Sequence, residues 1–413
     1  MEIAEIKKDK QIWKFCFYGF FKNLKFFEPY LWIYLLSMGF GLFKIGILFS
    51  IREIITYVFE IPSGILADQY GKKKELMICF IFYIISFILF FIGDNYLMIA
   101  IGMCFFGLGE AFRSGTHKAM ILSYLEQKNW FKYKGFVYGR TRSFSLLGSS
   151  ISAFVSILWL INIPALKSIF LISTIPYIID FLLIASYPNS LDERLNSKIS
   201  IKAFYKESVF QFKNIFHNRM LKKIMASSAI YDGIFKTIKD YIQPILKILI
   251  GSASISILSN SLDASSSLKV YLGIIYGVFY IFSSITSRNI YKLTNRFSSI
   301  KLFEKSFDYM GILLIILATT VHFEFLIVSI FIYFLIYIMK DGRRPVFVDV
   351  CSDYMNKNQR ATVLSVESQM KSFFMIILSP LLGLIAEKLG IEVVFFIIGV
   401  AMIVVNRGIK IKK

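Results

Sequence analysis

Hydrophobic residues in this chain come in long blocks separated by short polar breaks. A membrane-crossing helix needs roughly twenty mainly apolar residues. Blocks of that kind lie at 24–42, 45–66, 75–94, 97–122, 140–162, 165–187, 222–250, 270–290, 303–321, 324–340, 362–386 and 391–407. The pattern predicts an all-α membrane protein of about twelve transmembrane helices. The longest polar stretch, from about Asn189 to Lys223, divides them into two six-helix halves. The expected organisation is an N-terminal half over 1–187, a cytoplasmic linker over 188–221 and a C-terminal half over 222–413. Within the linker, Ile201, Tyr205, Ser208, Phe212 and Ile215 fall near one helical face. That spacing predicts an amphipathic helix lying on the inner membrane surface. The first apolar block is interrupted by Lys22, Asn23 and Lys25, and no small-residue cleavage site follows. The N-terminus therefore reads as a cytoplasmic tail leading into a retained helix.

Composition agrees. Of the 413 residues, 56% are hydrophobic and 43 are Phe, more apolar surface than a water-soluble interior can hide. The net charge of +20 would suggest nucleic acid in a soluble protein. Here its distribution explains it. Lys72, Lys73, Lys74, Lys128, Lys132 and Lys134 fall in alternate loops, followed by Lys222, Lys223, Arg288, Lys292, Arg296, Arg343, Arg344, Lys357, Arg360 and the tail. The other set of loops carries only isolated positives such as Lys44, Lys167 and Lys269. The positive-inside rule then places both termini in the cytoplasm and implies no nucleic-acid partner. Cys16, Cys79, Cys104 and Cys351 are scattered, which argues against a disulfide framework or a zinc site.

After the second block the chain reads Gly64-Ile-Leu-Ala-Asp68-Gln-Tyr-Gly71-Lys72-Lys73-Lys74. Gly64 permits close helix contact. Asp68 is an anion suited to a helix N-terminus. Gly71 allows a tight turn, and the lysines hold the loop at the inner surface. The run resembles the signature loop between helices two and three of the major facilitator superfamily. Glu60-Ile-Pro62-Ser63 before it, Gly109-Glu110-Ala-Phe-Arg113-Ser114-Gly115-Thr116 and Arg360-Ala-Thr-Val-Leu-Ser365 resemble the drug-exporter-like bacterial members. Gln69 departs from the family's usual Arg. The resemblance implies alternating access in a bacterial inner membrane. It also implies that Asp68, with Gly64, Gly71 and Lys72, forms a cytoplasmic gate closing on the start of helix eleven near Arg360, Ala361 and Thr362. The second half holds only Ser287-Arg288-Asn289, Lys292 and Arg296 where a degenerate copy of the signature is expected. The helix-five Gly-Pro pair of antiporters is missing, with Leu147-Gly148-Ser149-Ser150 nearby.

Charges inside the blocks carry the candidate chemistry, because each costs about 2.5–3.5 kcal/mol at a helix centre on insertion scales. Glu53, Tyr57 and Glu60 share a face of helix two. Glu110 and Arg113 lie three apart in helix four, with His117 on the same side. Asp232, Lys236, Lys239, Asp240 and Gln243 form a stripe on helix seven. Glu367 and Lys371 lie four apart in helix eleven, Glu28 lies beside Pro29, and Asp180 lies in helix six. Glu60, Glu110, Arg113, Asp232, Lys236 and Asp240 are the candidates for substrate binding or proton coupling. Local pairing of Glu110 with Arg113, Asp232 with Lys236, and Glu367 with Lys371 is the structural alternative.

No phosphate-binding Gly-rich loop, zinc-protease motif or nucleophile elbow is present, so no enzyme activity, cofactor or metal is expected. The expected function is secondary active transport of a small organic solute by a monomer in lipid, coupled to protons and directed outward. Uptake of a nutrient or lipid-like solute, and a non-transporting receptor or scaffold on the same fold, are the competing readings.

Overall fold

The computed structural model describes residues 2–113, 116–163, 165–192, 218–252, 264–290, 293, 296–352, 354 and 360–409. The predicted linker helix around Ile201 to Ile215 lies outside the described residues. Beyond a short helix at Glu2–Lys8, the described residues form twelve longer segments, three of them made of two helical pieces: 10–37, 42–70, 72–92, 96–127, 134–162, 168–185, 219–252, 264–289, 299–322, 326–352, 360–389 and 391–409. Seven helices, beginning with Lys72–Ile92 and Tyr96–Gln127, are long and apolar enough to cross a membrane by length and composition. The remaining segments are broken or carry charges along their length.

The first span corrects the predicted tail. A helix over Lys10–Lys22 lies inside the protein and packs against Lys134–Asn162 and Ser168–Ala185. The chain then turns through 23–30 before resuming as Leu31–Ser37. Asn23 ends the first piece: its backbone N–H reaches the carbonyls of Phe20 and Phe21, and its amide donates to Gly19 O at 2.7 Å. Pro29 cannot donate a backbone hydrogen bond and disfavours helix at Glu28. Lys22, Asn23 and Lys25 therefore occupy a break within the span, not its start.

The seventh span is broken too. Helix Arg219–Ile238 gives way to a tighter turn at Lys239–Tyr241 before Ile242–Ser252. Pro244 has no N–H for the carbonyl of Asp240. The Tyr333 hydroxyl donates to Ile238 O at 3.0 Å, supplying a donor at the break.

The tenth span extends beyond the predicted 340 to Ser352. Arg343 and Arg344, assigned above to a cytoplasmic loop, lie within it. Arg343 is only 4% exposed. Its guanidinium stacks on Tyr231 at 4.2 Å and Phe303 at 3.8 Å, and donates to Ser227 and Ser306 at 2.9 and 3.0 Å. Lys269, placed above in an external turn, is buried within helix Ala264–Asn289.

Contacts group the chain into two units, residues 1–34 with 51–201, and residues 35–50 with 202–413. In the first unit an aromatic core of Phe27, Phe80, Phe87, Phe106, Phe170 and Tyr177 joins the first, third, fourth and sixth spans. In the second, Leu221, Phe303, Phe347 and Val366 meet in one core across the seventh, ninth, tenth and eleventh spans. Segment 35–50 packs on Arg360–Leu389 there. The Phe43 N–H donates to Glu387 Oε2 at 2.9 Å, and Ser50 Oγ to Ile376 O at 2.5 Å.

Candidate functional site: buried charge clusters in two units

In the first unit Glu110 is held from two sides. Arg113, one turn along the same helix, donates to Glu110 Oε2 at 2.5 Å, and the Tyr83 hydroxyl donates to Oε1 at 2.6 Å. Arg113 Nε also reaches the Tyr83 oxygen at 3.3 Å. Tyr83 is fully buried, fixed by ring contacts with Phe106 and Tyr177. Lys22 and Lys25, from the break in the first span, lie within electrostatic reach of Glu110. The sequence pairing of Glu110 with Arg113 is present, and Tyr83 is the member that sequence reasoning missed. Its contact comes from the third span, and nothing local in the sequence marks it.

On the second span Glu53 is buried and accepts from Arg52 at 2.8 Å, whereas Tyr57 is exposed and Glu60 half-buried. Ser63 Oγ and Thr56 Oγ1 donate to carbonyls of the fourth span, at Ala111 and Gly107, tying the two helices together.

His117 is buried, stacked on Tyr18 with ring centroids 3.5 Å apart, and its Nε2 lies 3.1 Å from the Tyr187 hydroxyl.

In the second unit a longer-range arrangement joins different spans, with Lys371 also within electrostatic reach of Glu367. Glu367, completely buried, accepts from Arg344 at 2.9 Å and from Ser228 at 3.0 Å. Asp232 lies 3.7 Å from the same guanidinium, while Lys236 is exposed. Arg344 thus bridges carboxylates of the seventh and eleventh spans. Asp240 sits at the break in the seventh span, where Lys239 Nζ donates at 2.9 Å and the Tyr276 hydroxyl at 2.8 Å. Gln243 completes this cluster by donating to Tyr276 at 3.1 Å.

Of the predicted gate, the side chains of Asp68, Arg360, Ala361 and Thr362 lie outside the described residues. Gly71 has φ +105° and precedes helix Lys72–Ile92. A Cβ there would strike the Asp192 carboxylate, whose Oδ1 accepts from the Lys73 N–H at 2.9 Å. Asp192 therefore caps the third span, a role invisible from the sequence because 119 residues separate it from Lys73. Lys73 Nζ donates to Tyr187 O at 2.8 Å, so this lysine ties the loop to the end of the sixth span. Lys72 is half-buried. The close helix contact expected at Gly64 is absent: among the described residues nothing lies within 4 Å of the position its Cβ would take.

The folded chain is an all-helical, multi-pass membrane transporter. It belongs to the Major Facilitator Superfamily, whose family model matches residues 14–339. It is 31% identical over 90 residues to the MFS-type transporter YxaM of Bacillus subtilis (strain 168). That match covers 22% of this chain and 23% of YxaM. Among solved structures it resembles the nucleoside transporter NupG (TM-score 0.76, 13% identity, 98% of this chain and 100% of that one). It also resembles a POT family transporter in complex with 5-aminolevulinic acid (TM-score 0.77, 14% identity, 97% and 95%) and a D-xylose–proton symporter (TM-score 0.71, 13% identity, 96% and 95%). At these identities the likeness is one of fold.

Proposed function

We propose that this chain is a proton-coupled exporter of a small organic solute, working as a monomer by alternating access in a bacterial inner membrane with both termini cytoplasmic. The observation that carries this reading is the Glu110–Arg113–Tyr83 cluster. It places an ion pair about a quarter exposed at the end of helix Tyr96–Arg113, whose other residues are hydrophobic or Gly. Such groups are expensive in a membrane and mark solute and proton pathways. The moving parts are the halves 1–187 and 222–413, joined by the linker 188–221. Asp68, with Gly71 and Lys72, gates the cytoplasmic side, and Gly64 gives the second span freedom to approach a neighbour. Glu60, Glu110 and Arg113 from one half, and Asp232, Lys236 and Asp240 from the other, flank the solute pathway.

Solute accumulation in a host lacking its major exporters tests this, using a panel of fluorescent and toxic organic compounds. The native chain is expected to lower accumulation. Glu110→Gln, Asp68→Asn at matched membrane levels, and a protonophore should each abolish the effect. A compound whose accumulation rises instead assigns uptake. That second reading has one observation in its favour: the fifth span has no proline, and its Gly148 is committed to packing against the Phe20 carbonyl. A panel that gives no response, with unchanged behaviour in the variants, would sink the export reading.

A further inference from the structure

Asp180 stands apart from the carboxylates described above. It lies in the middle of helix Ser168–Ala185, and its side chain is completely buried. Neither carboxyl oxygen has a hydrogen-bond partner among the described residues. Every charge cluster described above supplies donors to its acid: Arg113 and Tyr83 to Glu110, Arg344 and Ser228 to Glu367, Lys239 and Tyr276 to Asp240. Asp180 has only near neighbours. Tyr18 and Lys22 from the first span, Tyr177 on its own helix and Tyr187 just beyond it all lie within electrostatic reach. The third span contributes Cys79, within electrostatic reach of Tyr18 and Tyr177, and Tyr83, whose ring meets that of Tyr177. The fifth span's titratable residues, Tyr138, Arg140 and Arg142, lie in its first turns. The hydroxyl of Tyr18, 6% exposed, is likewise without a partner among the described residues.

An ionised carboxylate cannot rest without donors in an apolar interior; it takes up a proton instead. We propose that Asp180 is a proton-binding site of this transporter, neutral in the conformation described and ionised when the break in the first span brings Lys22 to it. The step is a simple acid–base exchange. An O–H bond forms at one Asp180 oxygen when a proton arrives and breaks when it leaves, and the residual charge is matched by the Lys22 ammonium. The break at 23–30 makes this feasible, because Lys22 sits at the last turn of a half-helix that is not continuous with Leu31–Ser37. That Asp180 holds a proton stands on its burial alone. That this proton drives transport rests on the proton-coupled reading above.

The test is pH-difference infrared spectroscopy on the purified full chain in lipid nanodiscs, which needs no solute. The native chain should show the carbonyl band of a protonated carboxyl in an apolar site. Asp180→Asn should lose that band completely, while Glu110→Gln should keep it. Asp180→Glu, which keeps the acid, should retain the band at a displaced frequency, and it carries the test if the asparagine variant does not fold. A native spectrum without the band, or a band unchanged in both Asp180 variants, would overturn the proposal. Coupling is read separately in proteoliposomes with a solute identified in the accumulation screen. If a pH gradient fails to drive the native chain, the proton-coupled reading falls and the infrared result still decides Asp180. If the gradient drives native and Asp180→Asn equally, Asp180 has no part in coupling.

Discussion

Arg343 shows how a cation can be housed in this membrane protein by rings as well as by carboxylates. Its guanidinium lies against Tyr231 and Phe303 and is bonded to two serines. A desolvated cation over an aromatic face gains about 2 kcal/mol. Lys cannot reproduce the planar stack or the fixed fork of donors, so Arg343→Lys should destabilise by about that much. A buried ion replaced by an apolar side chain of similar size is often tolerated. Ser306 keeps its own donated bond to Phe303 O at 2.8 Å without the arginine, so Arg343→Met should melt closer to the native chain than Arg343→Lys does. Thermal unfolding in detergent decides the order. The reverse order would mean that the positive charge itself, and not the stack, holds the site. The sequence shows an Arg343–Arg344 pair and reads it as loop, because positive pairs usually mark cytoplasmic turns. The rings that receive Arg343 lie on the seventh and ninth spans, out of reach of any local pattern. The i,i+3 pair Glu110–Arg113 was legible because both members share one helix face. The Arg344 bridge to Asp232 and Glu367 was not, because it joins three helices.

Breaks and caps decide where the elements lie. Hydropathy located ten of the spans to within a turn or two, and it ended the tenth about three turns early. It misplaced the start of the first, because Lys14, Lys22 and Lys25 lower the average over a helix that is nevertheless packed inside. Lys14 is accommodated by donating to Ser186 O at 2.7 Å. Gly71 was correctly read as a turn, and the structure adds the reason that no other residue suits it. Gly71→Ala would force a side chain into a φ of +105° and into the Asp192 carboxylate that caps the third span. Strain of this kind costs on the order of 1–3 kcal/mol. Asp192→Ala removes the cap while leaving the turn intact, and should cost about 1 kcal/mol. Combining the two should give less than the sum, since the collision in Gly71→Ala is with the side chain that Asp192→Ala deletes. Unfolding midpoints of the two single variants and the double variant measure this. Strict additivity would show that Gly71 and Asp192 act independently.

At the scale of the whole molecule, alternation of charge between the two sets of turns makes a prediction that fold likeness does not. Turns at 70–72, 128–133 and 186–190 fall on one side of the twelve-span order, and those at 93–95, 163–167 and 323–325 on the other. The first set carries Lys72, Lys128 and Lys132, which the positive-inside rule assigns to the cytoplasm. Single cysteines at exposed turn positions report the side directly. Three of the four native cysteines are buried and Cys104 is half-buried, so the background against a membrane-impermeant maleimide should be low. Asn95→Cys and Phe323→Cys should react in right-side-out vesicles and be protected in inverted ones. Lys128→Cys and Ser190→Cys should do the opposite. Agreement of all four would fix both termini in the cytoplasm, because an even number of spans separates them. Reaction of Asn95→Cys and Phe323→Cys from opposite sides would require an odd number of crossings to be lost or gained between the fourth and ninth spans. Of those six spans, the broken seventh, with Asp240 at its interruption, and the charged ninth are the two outside the helices long and apolar enough to cross.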